Sequence, residues 1–509
     1  MLNYVARRLL LMLPTVVGIT FIVFLLLALS PGGIGAAAAA AGGQQDASKA
    51  AMLEAYLEDR YGLNDPVLVQ YVRWLHRISP VKFGTRDQVT PAGERLQPPK
   101  EIPDPPLAEW GGFTLPFADA APPGPALAGG SVEERQRAYR RIANDALAAR
   151  SRYLGAKREF ESVLGSYARF LGRDDWLDAK GRVVVARVAT EPADRTNELW
   201  PEIDKAFAKM AVEWKAATER RNLLSMAFAE RPFAESGLPV LPGAIWVGPP
   251  DLGTAFSKSR PVADLIADAL PVTLLLNLIA FPIIYLVAIP SGILASARSG
   301  SWFDKLSGAT YVALWSVPTV WAGVLAVGYL ASDEYLGLFP VSGLHDRAAD
   351  AWTFLPGMQA DGSWQVGWLG DALWHLVLPV ACLVYGGFAV LSKQTRAAML
   401  DNFNADYVRT AKAKGVARRD VVMHHVFRNS LLPLITMFVT VFPATLAGSV
   451  VIERIFSVPG MGSLILDAIN QRDRELILAN TFMIACVNLT ALLLADILYA
   501  VADPRVSYE

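Results

Sequence analysis

The sequence predicts an all-α polytopic membrane protein of six transmembrane helices, with a large, mainly helical insert between the first and the second. Three observations predict it. Apolar runs long enough to cross a hydrocarbon core of about 30 Å recur along the chain. Lys and Arg gather in alternate connections, as they do in cytoplasmic loops. A long stretch, Pro31 to about Asp264, holds no run able to span a bilayer. The composition agrees: 53% hydrophobic and 19% charged residues are too apolar for an ordinary soluble protein and too charged for membrane throughout.

The elements follow in order. Leu9 to Leu29 is the first apolar run, and Arg7 and Arg8 before it favour a cytoplasmic N-terminus. A retained helix and a cleavable signal peptide both fit this pattern, the length of the run favouring the retained helix. Residues 1–30 thus form the start and first span, and residues 31–82 an extracytoplasmic segment. Within it an amphipathic helix over Leu53 to Trp74 is broken by the turn from Gly62 to Pro66. Residues 83–247 read as an insertion. Its Pro- and Gly-rich part, 91–130, argues for irregular chain. Two charged helical patterns, Val132 to Leu171 and Glu198 to Phe228, suggest a helical hairpin. Residues 248–509 carry the remaining spans: Leu270 to Ala297, Thr310 to Ala331, Leu373 to Leu391, Leu431 to Ile452 and Leu478 to Ala502. Prolines inside them, such as Pro282, Pro290 and Pro379, are tolerated where neighbouring helices satisfy the freed carbonyls.

Charge fixes the orientation. Arg298 and Lys305 follow the second span and Arg505 follows the sixth, whereas the loop Ser332–Ala372 has one Arg and six acids. Both termini are expected in the cytoplasm and the insert outside it, in a bacterial-type inner membrane. The tryptophans Trp302, Trp315, Trp321, Trp364, Trp368 and Trp374 fit interfacial anchors.

Several function classes are excluded. A net charge of −1 gives no field for nucleic acid. Cys382 and Cys486 both lie in apolar runs, and no His or Cys spacing fits a metal site. There is no phosphate-binding loop, no catalytic triad and no paired carboxylate site, so the chain is no enzyme and binds no cofactor itself. Ionisable groups are sparse in the spans, with Asp496 the main candidate, whereas ion-driven carriers need buried relays.

The segment 393–433 stands apart. It holds eight Lys or Arg and three Asp between two apolar runs. A helix is expected over Ala405 to Lys414, a glycine cap at Gly415 and a second short helix over Arg418 to Asn429. Charge alone leaves two readings: a solvated topology signal, or a docking surface for a soluble partner.

The motifs decide between them. Asp406 to Gly415 (DYVRTAKAKG), with Arg428 to Pro433 (RNSLLP), resembles the cytoplasmic loop of binding-protein-dependent ABC transporter permeases. The resemblance is to the first permease subunit of the dipeptide/oligopeptide/nickel branch. It extends to the N-terminal 30 residues, Leu63–Pro66, Asp251–Thr254, Gly337–Gly343, His375–Pro379, Glu453–Phe456, Pro459–Gly462 and Ala502–Arg505. The general loop pattern has Glu-Ala-Ala, three residues and Gly; Arg409, Thr410, Ala411 and Gly415 stand there in this chain, which resembles the peptide branch. The insertion 83–247 is not part of the family pattern and carries no motif.

The resemblance implies the type I ABC importer permease fold and a subunit forming half of a translocation path for peptides or related small solutes. It implies as partners a second homologous permease, two ABC ATPase subunits that bind ATP and Mg, an extracytoplasmic solute-binding protein and the lipid bilayer. The coupling loop, 393–430, then has Tyr407, Arg409, Thr410, Ala411, Gly415, Val416, Arg418, Arg419, Val421, Val422, Met423, His424 and Pro433 as its site residues. Arg418 and Arg419 are expected to pair with acids on the ATPase, and Val421, Val422 and Met423 to fill an apolar cleft there. The alternative is a membrane-anchored structural or signalling protein whose external insert is the functional part.

Overall fold

The computed structural model describes residues 2–29, 62, 65–437 and 449–502, apart from short stretches at 92, 94, 106, 108–109, 119–124, 128, 179–182, 190–192, 256, 259, 359–362 and 432. The chain divides into two compact units, Ala28–Asp251 on one side and Met1–Leu27 with Leu252–Glu509 on the other. In chain order the main helices are α1 (Leu2–Leu29), α2 (Val67–Ile78), α3 (Val132–Phe170), α4 (Trp200–Ala229), α5 (Val262–Ala297), α6 (Trp302–Ser316), α7 (Thr319–Leu325), α8 (Gly367–Phe403), α9 (Asp406–Ala413), α10 (Val450–Ile455), α11 (Met461–Asn470) and α12 (Arg474–Ala502).

In the first unit α3 and α4 pack as a hairpin. Ser131 starts α3 with a reciprocal capping box: the Glu134 amide donates to Ser131 Oγ at 3.3 Å, and the Ser131 amide to Glu134 Oε2 at 2.9 Å. Residues at helical spacing fill the seam, Phe160, Leu164 and Tyr167 from α3 against Ile203, Phe207 and Met210 from α4, all buried. Each such side chain contributes about 1.5–3 kcal/mol of burial. Phe113, from the Pro- and Gly-rich stretch, stacks on Phe207 with ring centres 3.9 Å apart. That stretch therefore covers the hairpin although it has little regular structure.

The ends of the insertion lie side by side. Val81–Phe83 pairs antiparallel with Ile245–Val247, Phe83 opposite Ile245. Gln88–Val89 pairs with both Arg95–Leu96 and Ala234–Glu235. Lys82 is buried here, its Nζ 3.1 Å from the Arg77 carbonyl, 3.6 Å from Asp87 and over the Trp246 ring. Burial lowers its pKa from the ordinary lysine value, and Arg95 adds to that effect.

In the second unit, four helices among the described residues are each long and apolar enough to cross a membrane: Tyr4–Leu29, Val262–Ala297, Gly367–Phe403 and Arg474–Tyr499. The single span expected over Thr310 to Ala331 is instead a bent pair, Trp302–Ser316 and Thr319–Ala331, with an angle of 85°. Pro318 is the cause: it lacks an N–H, and its ring drives Val317 out of the helical region to φ −81°, ψ 117°. The Val317 carbonyl left at the break accepts a hydrogen bond from Tyr385 Oη at 2.7 Å. The expected span Leu431–Ile452 falls largely outside the described residues, at 438–448.

Small residues let α5 and α8 approach. A Cβ on Gly292 would lie 2.6 Å from Thr395 Cβ and 2.8 Å from the Ser392 carbonyl. Ser291 and Ser392 hydroxyls share a hydrogen bond of 2.8 Å across the seam. Without a hydrophobic force between helices in lipid, close backbone packing and such bonds hold the pair. Asp496 on α12 is ion-paired to Arg8 on α1 at 2.9 Å, which gives the main candidate intramembrane acid a structural partner.

Candidate functional site

The basic loop is built on the end of α8. Asn402 donates from Nδ2 to the Ala398 carbonyl at 2.9 Å and to Ser430 Oγ at 3.0 Å, and its Oδ1 accepts from Tyr407 Oη at 2.6 Å. One amide thus joins the end of α8, the start of α9 and the chain near Ser430. α9 ends as the glycine demands. Gly415 has φ +77°, the Val416 amide bonds the Ala411 carbonyl at 3.2 Å and the Gly415 amide bonds Lys412 at 3.0 Å. This is the Schellman pattern, and an L side chain at Gly415 meets conformational strain although the space around it is open.

After the turn the chain forms one α-turn, Arg418–Asp420, and then wide π-type turns over Val421–Phe427. The site residues divide by burial. Tyr407, Arg409, Thr410, Gly415, Arg418, Arg419, Met423, His424 and Pro433 are exposed, while Ala411 is buried and Val416 half-buried. Thr410 spends its hydroxyl on the Asp406 carbonyl at 3.0 Å, and His424 Nδ1 lies 3.5 Å from Asp420.

One expectation is corrected. Val421 and Val422 are buried inside this chain, in a cluster with Met399, Val408, Ala411 and Val426, so neither can enter a partner's cleft. Three valines within six residues close the loop onto α8 and α9 because burying them there removes apolar area from water. Arg418 also has an internal role: its Nη2 donates to the Ala297 carbonyl at 2.7 Å, at the C-terminal end of α5, where a cation is favoured. A cleft of about 560 Å³ lies here, with Lys412, Val416, Arg418, Val421, Val422 and Phe403 in its lining.

Sequence reasoning missed three supports. Arg396 on α8 grips Asp304 at the start of α6 through two bonds, Nε–Oδ1 at 2.5 Å and Nη2–Oδ2 at 2.8 Å. The signal existed, since Asp304 lies between Arg298 and Lys305 and Arg396 falls in the basic segment 393–433. Asn402 carries no charge and gave no signal, and Ser430 stood out only as part of the RNSLLP motif. Glu453, from the ERIF motif, is buried; it accepts from Thr273 Oγ1 at 3.1 Å and from the Ser463 amide at 2.8 Å. The Met461 amide donates to Thr273 Oγ1 at 2.8 Å. The motif pair Glu453 and Gly460–Gly462 is therefore a tie between α5, α10 and the first turn of α11, and a Cβ on Gly462 would lie 2.6 Å from the Val450 amide.

Comparison with known proteins places this architecture. Residues 288–508 match the family described as binding-protein-dependent transport system inner membrane component. The oligopeptide transport system permease protein AppB of Bacillus subtilis (strain 168) is 37% identical over 260 residues, 51% of this chain and 76% of that protein. The inner membrane ABC transporter permease protein YejB of Escherichia coli O157:H7 is 36% identical over 260 residues, 51% of this chain and 68% of that protein. The di/tripeptide transport system permease protein DppB of Pseudomonas aeruginosa (strain UCBPP-PA14) is 34% identical over 261 residues, covering 51% and 77%.

Proposed function

The chain belongs to the family of binding-protein-dependent transport system inner membrane components, in its peptide-permease branch, and from that premise we propose that it carries peptides or related small solutes as one half of a translocation path. It is a permease subunit of an ABC importer, an integral inner-membrane protein and not an enzyme. A second permease completes the path, two ATPase subunits bind ATP and Mg in the cytoplasm, and an external binding protein delivers the solute. Six spans, cytoplasmic termini and an extracytoplasmic 83–247 insert form part of this reading. The alternation of basic and acidic loops supports it.

The observation that carries the coupling role is the form of the 393–430 loop. A glycine-capped helix and a second turn present Tyr407, Arg409, Arg419, Met423 and His424 to solvent, on a floor of buried valines. Arg419 pairs with acids of the ATPase, and Met423 is an exposed apolar anchor. The buried Val421 and Val422 make the loop rigid enough to pass on a push. ATP shifts the bundle between inward- and outward-facing states only by binding the two with different affinity. Co-expression with a second permease and ATPase subunits of this family, followed by uptake into liposomes loaded with ATP, tests the reading. Co-purification and ATP-dependent uptake are expected. Transport by this chain with no ATPase present, or free tolerance of substitution across 393–433, would overturn it.

A further inference from the structure

We propose that the unit Ala28–Asp251 binds a small organic anion, a carboxylate or phosphate on an apolar body, in a cavity between the start of its helical hairpin and the adjoining strands. The cavity measures about 460 Å³, the size of a small-ligand site. Four guanidinium groups line it, from Arg95, Arg140, Arg150 and Arg221, and no carboxylate is among the described residues of its lining. Tyr139, Leu147, Leu224 and Phe233 supply apolar wall.

Among the described residues, the charge of Arg95 is incompletely answered by the protein. The Arg95 side chain is nine-tenths buried, and its Nη1 makes no hydrogen bond among the described residues. Asp87 Oδ2 is 3.6 Å from it and is shared, at the same distance, with the buried Lys82. The other end of Arg95 donates to the Pro249 carbonyl. Arg221 is held by the carbonyls of Lys100, at 3.1 Å, and Pro99, at 3.2 Å, while the carboxylate of Glu101 is 3.9 Å away on a side chain that is 90% exposed. Carbonyls orient a guanidinium but do not neutralise it. Arg150 is buried, and Arg140 is exposed at the rim. Collecting cations in a half-closed cavity is costly unless an anion joins them. The aromatic and leucine wall selects an anion with an apolar part over a bare ion. The inference stands apart from the transport reading, because it uses only residues of this unit.

The test is calorimetry on the full-length chain in a non-ionic detergent, with N-acetyl-phenylalanine as carboxylate probe and phenyl phosphate as phosphate probe. At least one should bind, its affinity falling with added salt, and the uncharged N-acetyl-phenylalanine amide should bind at least about tenfold more weakly. A preference between the two anions distinguishes a peptide or acyl carboxylate from a phosphorylated headgroup. Arg140→Gln, at an exposed position that leaves folding intact, should weaken binding about threefold, and Arg140→Gln with Arg150→Gln about tenfold or more. Absence of binding by both anions, equal binding of the amide, or unchanged affinity in Arg140→Gln would overturn the proposal.

Discussion

The two helix pairs at the heart of the two units are held by opposite means. In α3 and α4 the seam is aromatic and aliphatic, and the outer faces are charged: Arg152 bonds Glu213 and Lys209 bonds Glu159 at their edges. In α5 and α8 the seam is made of Gly292, Ser291, Ser392 and Thr395, and the outer faces are leucine and valine, with Leu278 and Leu286 more than two-thirds exposed. The first pair keeps its large apolar groups from water. The second has no water to avoid and gains from backbone approach instead. The same secondary structure thus answers two solvents, and the position of the large side chains tells which.

The largest expected effect breaks the first pair. Phe160→Ala removes a fully buried ring packed edge-on against Phe207 and should cost about 3–5 kcal/mol, read by hydrogen exchange along α3. Leu286→Ala, a similar truncation on an outward face of α5, should leave thermal stability in detergent nearly unchanged. Equal losses would show that the two pairs do not differ as described. Next comes Gly292→Leu. The new side chain starts inside contact distance of Thr395 and a backbone oxygen, so an overpacking penalty of about 1–3 kcal/mol or more should appear as lost helix pairing and lost uptake.

A smaller energy with a large functional reading belongs to Gly415. Gly415→Val places a β-branched residue at φ +77°, at about 1–2 kcal/mol of local strain, and should abolish uptake while membrane insertion persists. Gly415→Asn should retain most activity, because Asn visits this region and nothing lies within 4 Å of the new Cβ. If Gly415→Val transports normally, the cap does not set the loop geometry. The smallest effect is at Lys82, whose folded pKa is lowered by burial. The unfolded chain then binds more protons, so the stability of this unit should rise from neutral pH toward about 10. Lys82→Met should flatten that rise, as followed by urea unfolding at several pH values.

Much of this was legible in the residues. The hairpin was written in its 3.6-residue pattern, and Gly415 announced the cap because few other residues take a left-handed backbone. The basic loop and the motif order identified a permease. Periodicity did not reveal the 85° break, because Pro318 lies in a continuous apolar run and hydropathy does not register a missing N–H. Nor did it reveal that Val421 and Val422 face inward, since in wide π-type turns the usual helical spacing no longer tells which face a residue joins.

By itself, then, the sequence determined which regions carry membrane-length apolar runs, the family and the place of the basic loop, since composition and short motifs are local. Only the tertiary structure decided which cations have partners. Arg8 with Asp496, Arg396 with Asp304, Arg418 with the end of α5, and the arginines gathered around one cavity all join residues distant in sequence. Charge acts through space, so its meaning waits on the fold.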